Sequence, residues 1–160
     1  MSLSLPAPAE AFLAEPHIAT LTTLRPDSSP HVVPVRFSWD GKAELARVMT
    51  VASRRKAQNL IANPGSRAAL CQVTGFRWIT LEGLATVSDD ALRVAEAVRR
   101  YITRYSGPPP STPQLVVIEI AADRVTSLNV IPPSPPAAHP AQRPATPAGH
   151  VRTRRSSTER

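Results

Sequence analysis

The chain has 160 residues, a formal net charge of +7, one cysteine, four histidines and 18 prolines. This length suits one domain, and the lone Cys71 excludes an internal disulfide framework and is typical of a reducing cytoplasm. The four histidines form no cluster with cysteine, which argues against a zinc site. We also expect no signal peptide and no membrane helix, because no apolar run approaches the roughly 18 residues of a bilayer span.

The charge and the prolines are unevenly distributed along the chain. Residues 1–130 hold 14 Lys and Arg against 11 Asp and Glu, whereas residues 131–160 hold five against one. Seven prolines and no aromatic residue lie in that last segment. We therefore predict one folded domain over residues 1–130 and a disordered Pro/Arg-rich tail over residues 131–160. The tail motif Arg152-Thr-Arg-Arg155 leaves nucleic-acid binding as the least favoured alternative.

Apolar periodicity and turn residues outline the predicted elements. Helices are predicted over residues 7–15, 53–63 and 89–105. Turn signals separate the strand-like runs at residues 17–25, 30–39, 43–51, 67–73, 77–87 and 115–121, with a short last run at 124–130. The first three strands predict an antiparallel meander. Six strands with helices inserted between them favour a mainly β fold, an antiparallel barrel, over a βαβ sheet.

The start of the second predicted helix carries the most informative motif. Ser53 is a good N-cap, and Arg54, Arg55 and Lys56 then occupy the first turn. Cations are disfavoured there by a few tenths of a kcal/mol each, because the helix macrodipole is positive at its N-terminus. An anion bound among these cations would make their placement favourable. The helix N-terminal amides, the nearby hydroxyls and the three cations together therefore predict a phosphate pocket. The alternative is that these side chains extend into solvent or pair with distant acids.

Few other residues suggest chemistry. Cys71 alternates with apolar neighbours and is interpreted as a small core residue, and His31 as a surface or capping residue. The charged residues of the third helix, Arg93, Glu96, Arg99, Arg100 and Arg104, are interpreted as a solvated face. No Walker or dinucleotide-binding glycine pattern is present. The sequence thus assigns no catalytic residue and no metal site, and an enzyme built from it would rely on a cofactor for the difficult step.

Several segments, in this order and spacing, resemble one known family. Residues 17–27, 29–35 and 37–40 resemble the opening hairpin of the pyridoxamine-phosphate-oxidase-like split-barrel family. Residues 47–50, 53–60 and 63–64 are similar to its third strand and phosphate-binding helix. Residues 78–83, 100–105 and 116–120 continue the match. The likeness covers roughly residues 9–128 and is closest to the branch that uses the deazaflavin coenzyme F420, which includes biliverdin reductase-like members.

The resemblance implies a fold, a cofactor and a partner. It implies a homodimer of six-stranded split barrels with two cofactor sites at the interface. The F420 phosphate would lie on Thr50, Ser53, Arg54, Arg55 and Lys56. The ring would lie against Pro34, Val35, Arg36 and Phe37, and Trp78 would reach it from the other protomer.

The implied reaction is hydride transfer from reduced F420 to a conjugated small-molecule acceptor such as biliverdin or a quinone. Two alternatives stay open. One is an FMN-dependent oxidoreductase that uses the same phosphate pocket. The other is a non-enzymatic module that binds a cofactor or a tetrapyrrole.

One departure from the family pattern has a physical consequence. The first turn carries Asp27-Ser28-Ser29, where the family usually has Asp-Gly-Ser. A position with positive φ would then be occupied by a residue other than glycine, which would cost about 1 kcal/mol of stability. The long tail is a second departure, which is either a genuine extension or the product of a shifted reading frame.

Overall fold

The structure is a computed structural model that describes residues 3–130. Its helices are α1 (Ala7–Ala14), α2 (Arg55–Ala62) and α3 (Ala91–Tyr105). Its strands are β1 (Ala19–Leu24), β2 (Pro30–Val35), β3 (Ser38–Asp40), β4 (Leu45–Val51), β5 (Arg67–Thr74), β6 (Arg77–Ser88) and β7 (Leu115–Leu128). The predicted tail at residues 131–160 lies outside the described residues.

The strands form one antiparallel sheet whose order explains the barrel shape. The order is β2-β1-β5-β6-β7-β4-β3, so β2 and β3, which follow each other in the chain, lie at opposite edges. Only Arg36 and Phe37 connect these two strands. The sheet must therefore curl until its two edges approach each other at this connection. The predicted mainly β split barrel with inserted helices is confirmed, with seven strands in the described residues instead of six.

The extra strand comes from a break in the predicted strand over residues 30–39. Its first half, β2, pairs with β1, whereas β3 pairs with β4 at the other edge. The predicted meander of three continuous strands is therefore wrong at its middle strand. Val35 and Phe37 are both buried, as the alternation predicted, but alternation reports the face of a residue and not its pairing partner.

The two runs predicted at residues 115–121 and 124–130 are a single strand, β7. It pairs with β6 along most of its length, with a register shift between Glu82 and Gly83. A Cβ at Gly83 would lie 1.7 Å from the Ala121 carbonyl oxygen, so only glycine permits this close approach. The bulge bends the sheet where the barrel curls.

The core lies inside the curled sheet and beneath the helices. Its largest fully buried side chains include Leu21, Leu70, Ile79, Leu81 and Ile120. Helix α1 adds Phe12 and Leu13, and helix α2 adds Ala57 and Leu60. Burial of such aliphatic and aromatic groups is the main favourable term for a domain of this size.

Helix α3 is fixed to the sheet by ion pairs, which corrects its predicted solvated face. Arg93 pairs with Glu119 of β7, and Arg100 pairs with Asp40 of β3. Both carboxylates are buried and also accept hydrogen bonds from Arg47, at 2.9 and 2.8 Å. Helical periodicity does not reveal these pairs, because the long arginine side chains reach across to another element.

Arg104 departs furthest from the predicted solvated face. Its guanidinium lies 4.2 Å from the centre of the Phe37 ring and donates a 2.8 Å hydrogen bond to the Gln72 side chain. The last turn of α3 therefore packs against the sheet through Arg104 instead of turning this side chain toward water. Across residues 3–130, no helix is both long and apolar enough to cross a membrane.

Candidate functional site

The candidate site lies at the N-terminus of α2, and the residue in the N-cap position of this helix is not the predicted one. The helix begins at Arg55, with Arg54 in the N-cap position and no side chain capping its amides. The prediction of Ser53 as N-cap is wrong, because the turn after β4 continues one residue further, with the Arg54 amide bonded to the Val51 carbonyl. The first-turn amides therefore have no capping side chain, which leaves them available to an anion.

An open cleft of about 490 Å³ lies beside this helix start. Five elements, β2, β4, α2, α3 and β7, and the loop after α3 meet around it. Its lining residues are Pro34, Val35, Arg36, Met49, Thr50, Val51, Arg54, Lys56, Tyr101, Pro109, Pro110, Thr112 and Leu115. The cleft thus combines an apolar wall with a cationic end, as a site for a planar ligand with a phosphate would require.

The charged residues that line the cleft are cations. Among residues 3–130, Arg36, Arg54 and Lys56 line it, and no aspartate or glutamate does. None of the three has a salt bridge to a carboxylate within residues 3–130. Burial and the nearby Arg54 hold the pKa of Lys56 below its usual value. A bound anion would relieve this repulsion, so the cation cluster is arranged for a negatively charged ligand.

His31 lies beside the cationic end of the cleft. Burial, together with Arg25, Lys56 and Arg55, lowers its pKa, so the imidazole is neutral near pH 7. Its Nδ1 atom is buried and has no hydrogen-bond partner in the described part of the chain. His31 therefore adds no charge to the site, and it places this part of β2 close to the start of α2.

Arg36 marks another part of the cleft, where the two sheet edges approach. It donates a 2.7 Å hydrogen bond to the Tyr101 hydroxyl, and its guanidinium lies 5.1 Å from the centre of the Tyr105 ring. The Tyr105 hydroxyl in turn bonds the Phe37 amide and carbonyl, both at 3.1 Å. Two α3 tyrosines therefore hold the short connection between β2 and β3.

The structure brings six of the ten predicted site residues into one cleft, namely Pro34, Val35, Arg36, Thr50, Arg54 and Lys56. Ser53 and Arg55 lie in a shallow surface depression that shares Arg54 with the cleft. Phe37 is buried beneath Arg104 and does not line the cleft. Trp78 lies on β6, paired with Val73 and Leu128, and does not line it either.

The sequence analysis missed the residues of the cleft lining that come from α3, the loop after it and β7, and two of the three from β4. Tyr101 is the clearest omission, because helical spacing placed it among the apolar core residues. Its spacing of four from Tyr105 was the available signal, since residues at i and i+4 share a helix face. The other missed residues carried no signal of their own, namely Met49, Val51, Pro109, Pro110, Thr112 and Leu115.

Comparison with known proteins agrees with this fold. The family signature described as pyridoxamine 5'-phosphate oxidase matches residues 5–129. The chain belongs to this family. A curated relative from Mycobacterium tuberculosis, an F420H(2)-dependent biliverdin reductase, is 50% identical over 115 residues, which are 72% of this chain and 82% of the relative.

Solved structures share the architecture of this chain. A structure named F420 reductase is 28% identical with a TM-score of 0.62, covering 76% of this chain and 98% of that protein. A conserved hypothetical protein from Mycobacterium tuberculosis has a TM-score of 0.67 at 23% identity, covering 80% of this chain and 86% of that one. The second likeness concerns the fold alone.

The cleft residues are suited to a phosphate-bearing deazaflavin or flavin. The unneutralised Arg54 and Lys56 and the uncapped start of α2 provide the donor set that a phosphate requires. Within residues 3–130, no group of three His, Cys, Asp or Glu side chains could hold a metal ion.

Proposed function

We propose that this protein is an F420H2-dependent reductase that transfers a hydride to a conjugated small-molecule acceptor such as biliverdin or a quinone. The observation that carries the proposal is the acid-free cleft, in which Arg54 and Lys56 flank an apolar wall. The 50% identical relative with this activity supports the same conclusion.

The phosphate of the cofactor would be held at the start of α2. Arg54 and Lys56 supply charge, Thr50 lies at the end of β4 beside them, and the first-turn amides supply N–H donors. Ser53 and Arg55 in the adjoining depression would hold any further anionic group of the cofactor tail. We propose these five residues as the phosphate subsite.

The ring would lie against the end of β2 at Pro34 and Val35. A reduced deazaflavin supplies a hydride. The chain's own part is to orient that ring and to exclude water, for which Met49 and Leu115 provide apolar surface on the lining. No carboxylate of residues 3–130 lines the cleft, so this part of the chain offers little acid–base machinery there.

We propose that the active form is a cytoplasmic homodimer. On the outer face of the sheet, Val73, Trp78 and Leu128 form one cross-strand row, and Val73 and Leu128 are 52% and 51% exposed. The nearby Phe76, at the tip of the β5–β6 hairpin, is 88% exposed. A second copy seated on this face would cover an apolar patch and would bring the partner subunit's Trp78 toward a cleft.

A fluorescence titration with F420, beside an FMN titration in the same buffer, tests the cofactor. We expect saturable F420 binding at low micromolar concentration or below, with FMN at least about tenfold weaker (about 1.4 kcal/mol). Tighter binding of FMN would instead assign the same pocket to a flavin enzyme. Failure of both ligands would leave a binding module for another anion.

A further inference from the structure

Arg36 has a fixed position but few partners. One of the five N–H donors of a guanidinium is used within residues 3–130, in the bond to the Tyr101 hydroxyl. The rings of Tyr101 and Tyr105 lie 5.9 and 5.1 Å from its central carbon. Because these contacts fix the side chain, less conformational entropy is lost when it binds a further group.

The arginines of α3 differ from Arg36 in their partners. Arg93, Arg99 and Arg100 each pair with a glutamate or aspartate. Arg36 also contacts α3, yet its contacts there are phenols and aromatic faces, which leave its positive charge uncompensated. A cation that is held in place, lines a cleft and lacks an acid is suited to binding an anionic ligand group.

This cation lies on a different element from the phosphate subsite. Arg36 lies in the connection after β2 and donates its hydrogen bond to α3, whereas Arg54 and Lys56 lie at the start of α2. Of these cleft cations, Arg54 and Lys56 lie beside the uncapped amides that suit a phosphate, and Arg36 lies beside the phenols of α3.

We propose that Arg36 binds a carboxylate of the acceptor, so that the protein selects planar conjugated acceptors that carry a carboxylate over neutral ones. This inference rests on the proposed function and assigns Arg36 to the acceptor, whereas the family resemblance implied a contact with the cofactor ring. Tyr101 is a positioning residue, because its hydroxyl accepts the bond that orients the guanidinium.

The test compares biliverdin, which has two propionate groups, with its dimethyl ester, which has the same conjugated system without the charges. Equilibrium binding of each to the F420-loaded protein is measured by absorbance. We expect wild type to prefer the free acid by about tenfold or more, as hydrogen bonds between charged groups are worth. Arg36→Met should reduce this preference to about one by weakening binding of the free acid alone.

Three further variants sharpen the result. Arg36→Lys keeps the charge and should retain part of the preference, whereas Tyr101→Phe should reduce it without abolishing it. Arg99→Met removes an equal charge from α3 outside the cleft lining and should leave the preference unchanged.

Equal binding of acid and ester by wild type, or no binding of either, would overturn the inference. The proposed function would still stand in that case if wild type binds F420 in the titration. Loss of F420 affinity in Arg36→Met would overturn it too, since Arg36 would then belong to the cofactor site. A wild-type protein that does not bind F420 would overturn the proposed function and this inference together.

Discussion

At the residue scale, the backbone angle φ of Ser28 shows how the sequence affects the turn between β1 and β2. Ser28 adopts φ +66°, in the left-handed region that glycine occupies most readily. Asp27 stabilises the turn through hydrogen bonds from the Ser29 amide and hydroxyl, at 3.0 and 2.6 Å. The departure from Asp-Gly-Ser was visible in the sequence, and the structure confirms that the strained position is where the glycine is missing.

Ser28→Gly should therefore stabilise the protein by up to about 1 kcal/mol. The matched control is Gly65→Ala, at φ +82°, where an added Cβ meets nothing within 4 Å and only the backbone cost remains. That variant should destabilise by a similar amount. Urea denaturation of both variants measures the two changes, and a destabilised Ser28→Gly would refute this interpretation of the turn.

Single residues also show what the sequence could predict of the site. The cation run Arg54–Lys56 was identifiable because it opposes the helix dipole, a conflict that a local pattern exposes. Tyr101 was not, because its role depends on Arg36, which lies 65 residues earlier in the chain. Long-range partners of this kind leave no local pattern in a single sequence.

At the element scale, α3 depends on electrostatics that its amphipathic pattern did not predict. Hydrogen bonds from Arg99 and Arg100 lower the pKa of Glu96 to about 2. A carboxylate whose pKa is lower in the folded state contributes stability above its unfolded pKa, near 4.5, and loses that contribution as the pH falls toward 2. Part of the stability of α3 is therefore sensitive to acid.

Glu96→Gln should remove the acid-sensitive part of the stability of α3. We expect a loss of about 1 kcal/mol or less at pH 7, because the pair is close to solvent, and a smaller difference from wild type near pH 2. Urea denaturation at a series of pH values between 7 and 2 measures both effects. A constant difference between the two proteins over this range would contradict the assigned ion pairs.

The same scale shows why element boundaries were partly predictable. The Asp90 side chain caps α3 by accepting a hydrogen bond from the Arg93 amide, so the helix begins within two residues of the predicted start at residue 89. The break between β2 and β3 was hidden, since Val35 and Phe37 keep facing the core across it. Periodicity predicted the buried face correctly and could not show that the chain changes its pairing partner.

At the scale of the whole molecule, the outer face of the sheet is the main unexplained surface. Its cross-strand row of Val73, Trp78 and Leu128 leaves apolar groups exposed in the single chain. The curl of the sheet follows from the order of its strands, but assembly depends on what covers this row. We interpret it as the interface of the proposed homodimer.

Leu128→Glu should convert the dimer to a monomer and weaken F420 binding, because the partner subunit's Trp78 would leave the site. Leu92→Glu is the matched control, since Leu92 is 82% exposed on α3, outside the row. Leu92→Glu should keep both the molecular mass in solution and the F420 affinity of wild type. Sedimentation at several concentrations measures the mass, and a monomeric wild type would contradict the assembly.

The account's central claim is that the start of α2 holds the cofactor phosphate. The most direct measurement is the F420 affinity of the Arg54→Ala/Lys56→Ala variant by fluorescence titration. Lys42→Ala serves as the control, because Lys42 is the other lysine of the chain and does not line the cleft. We predict a loss of about 100-fold or more in the double variant, from two charge-assisted contacts, and no change in the control. An unchanged affinity in the double variant would show that the cofactor phosphate binds elsewhere.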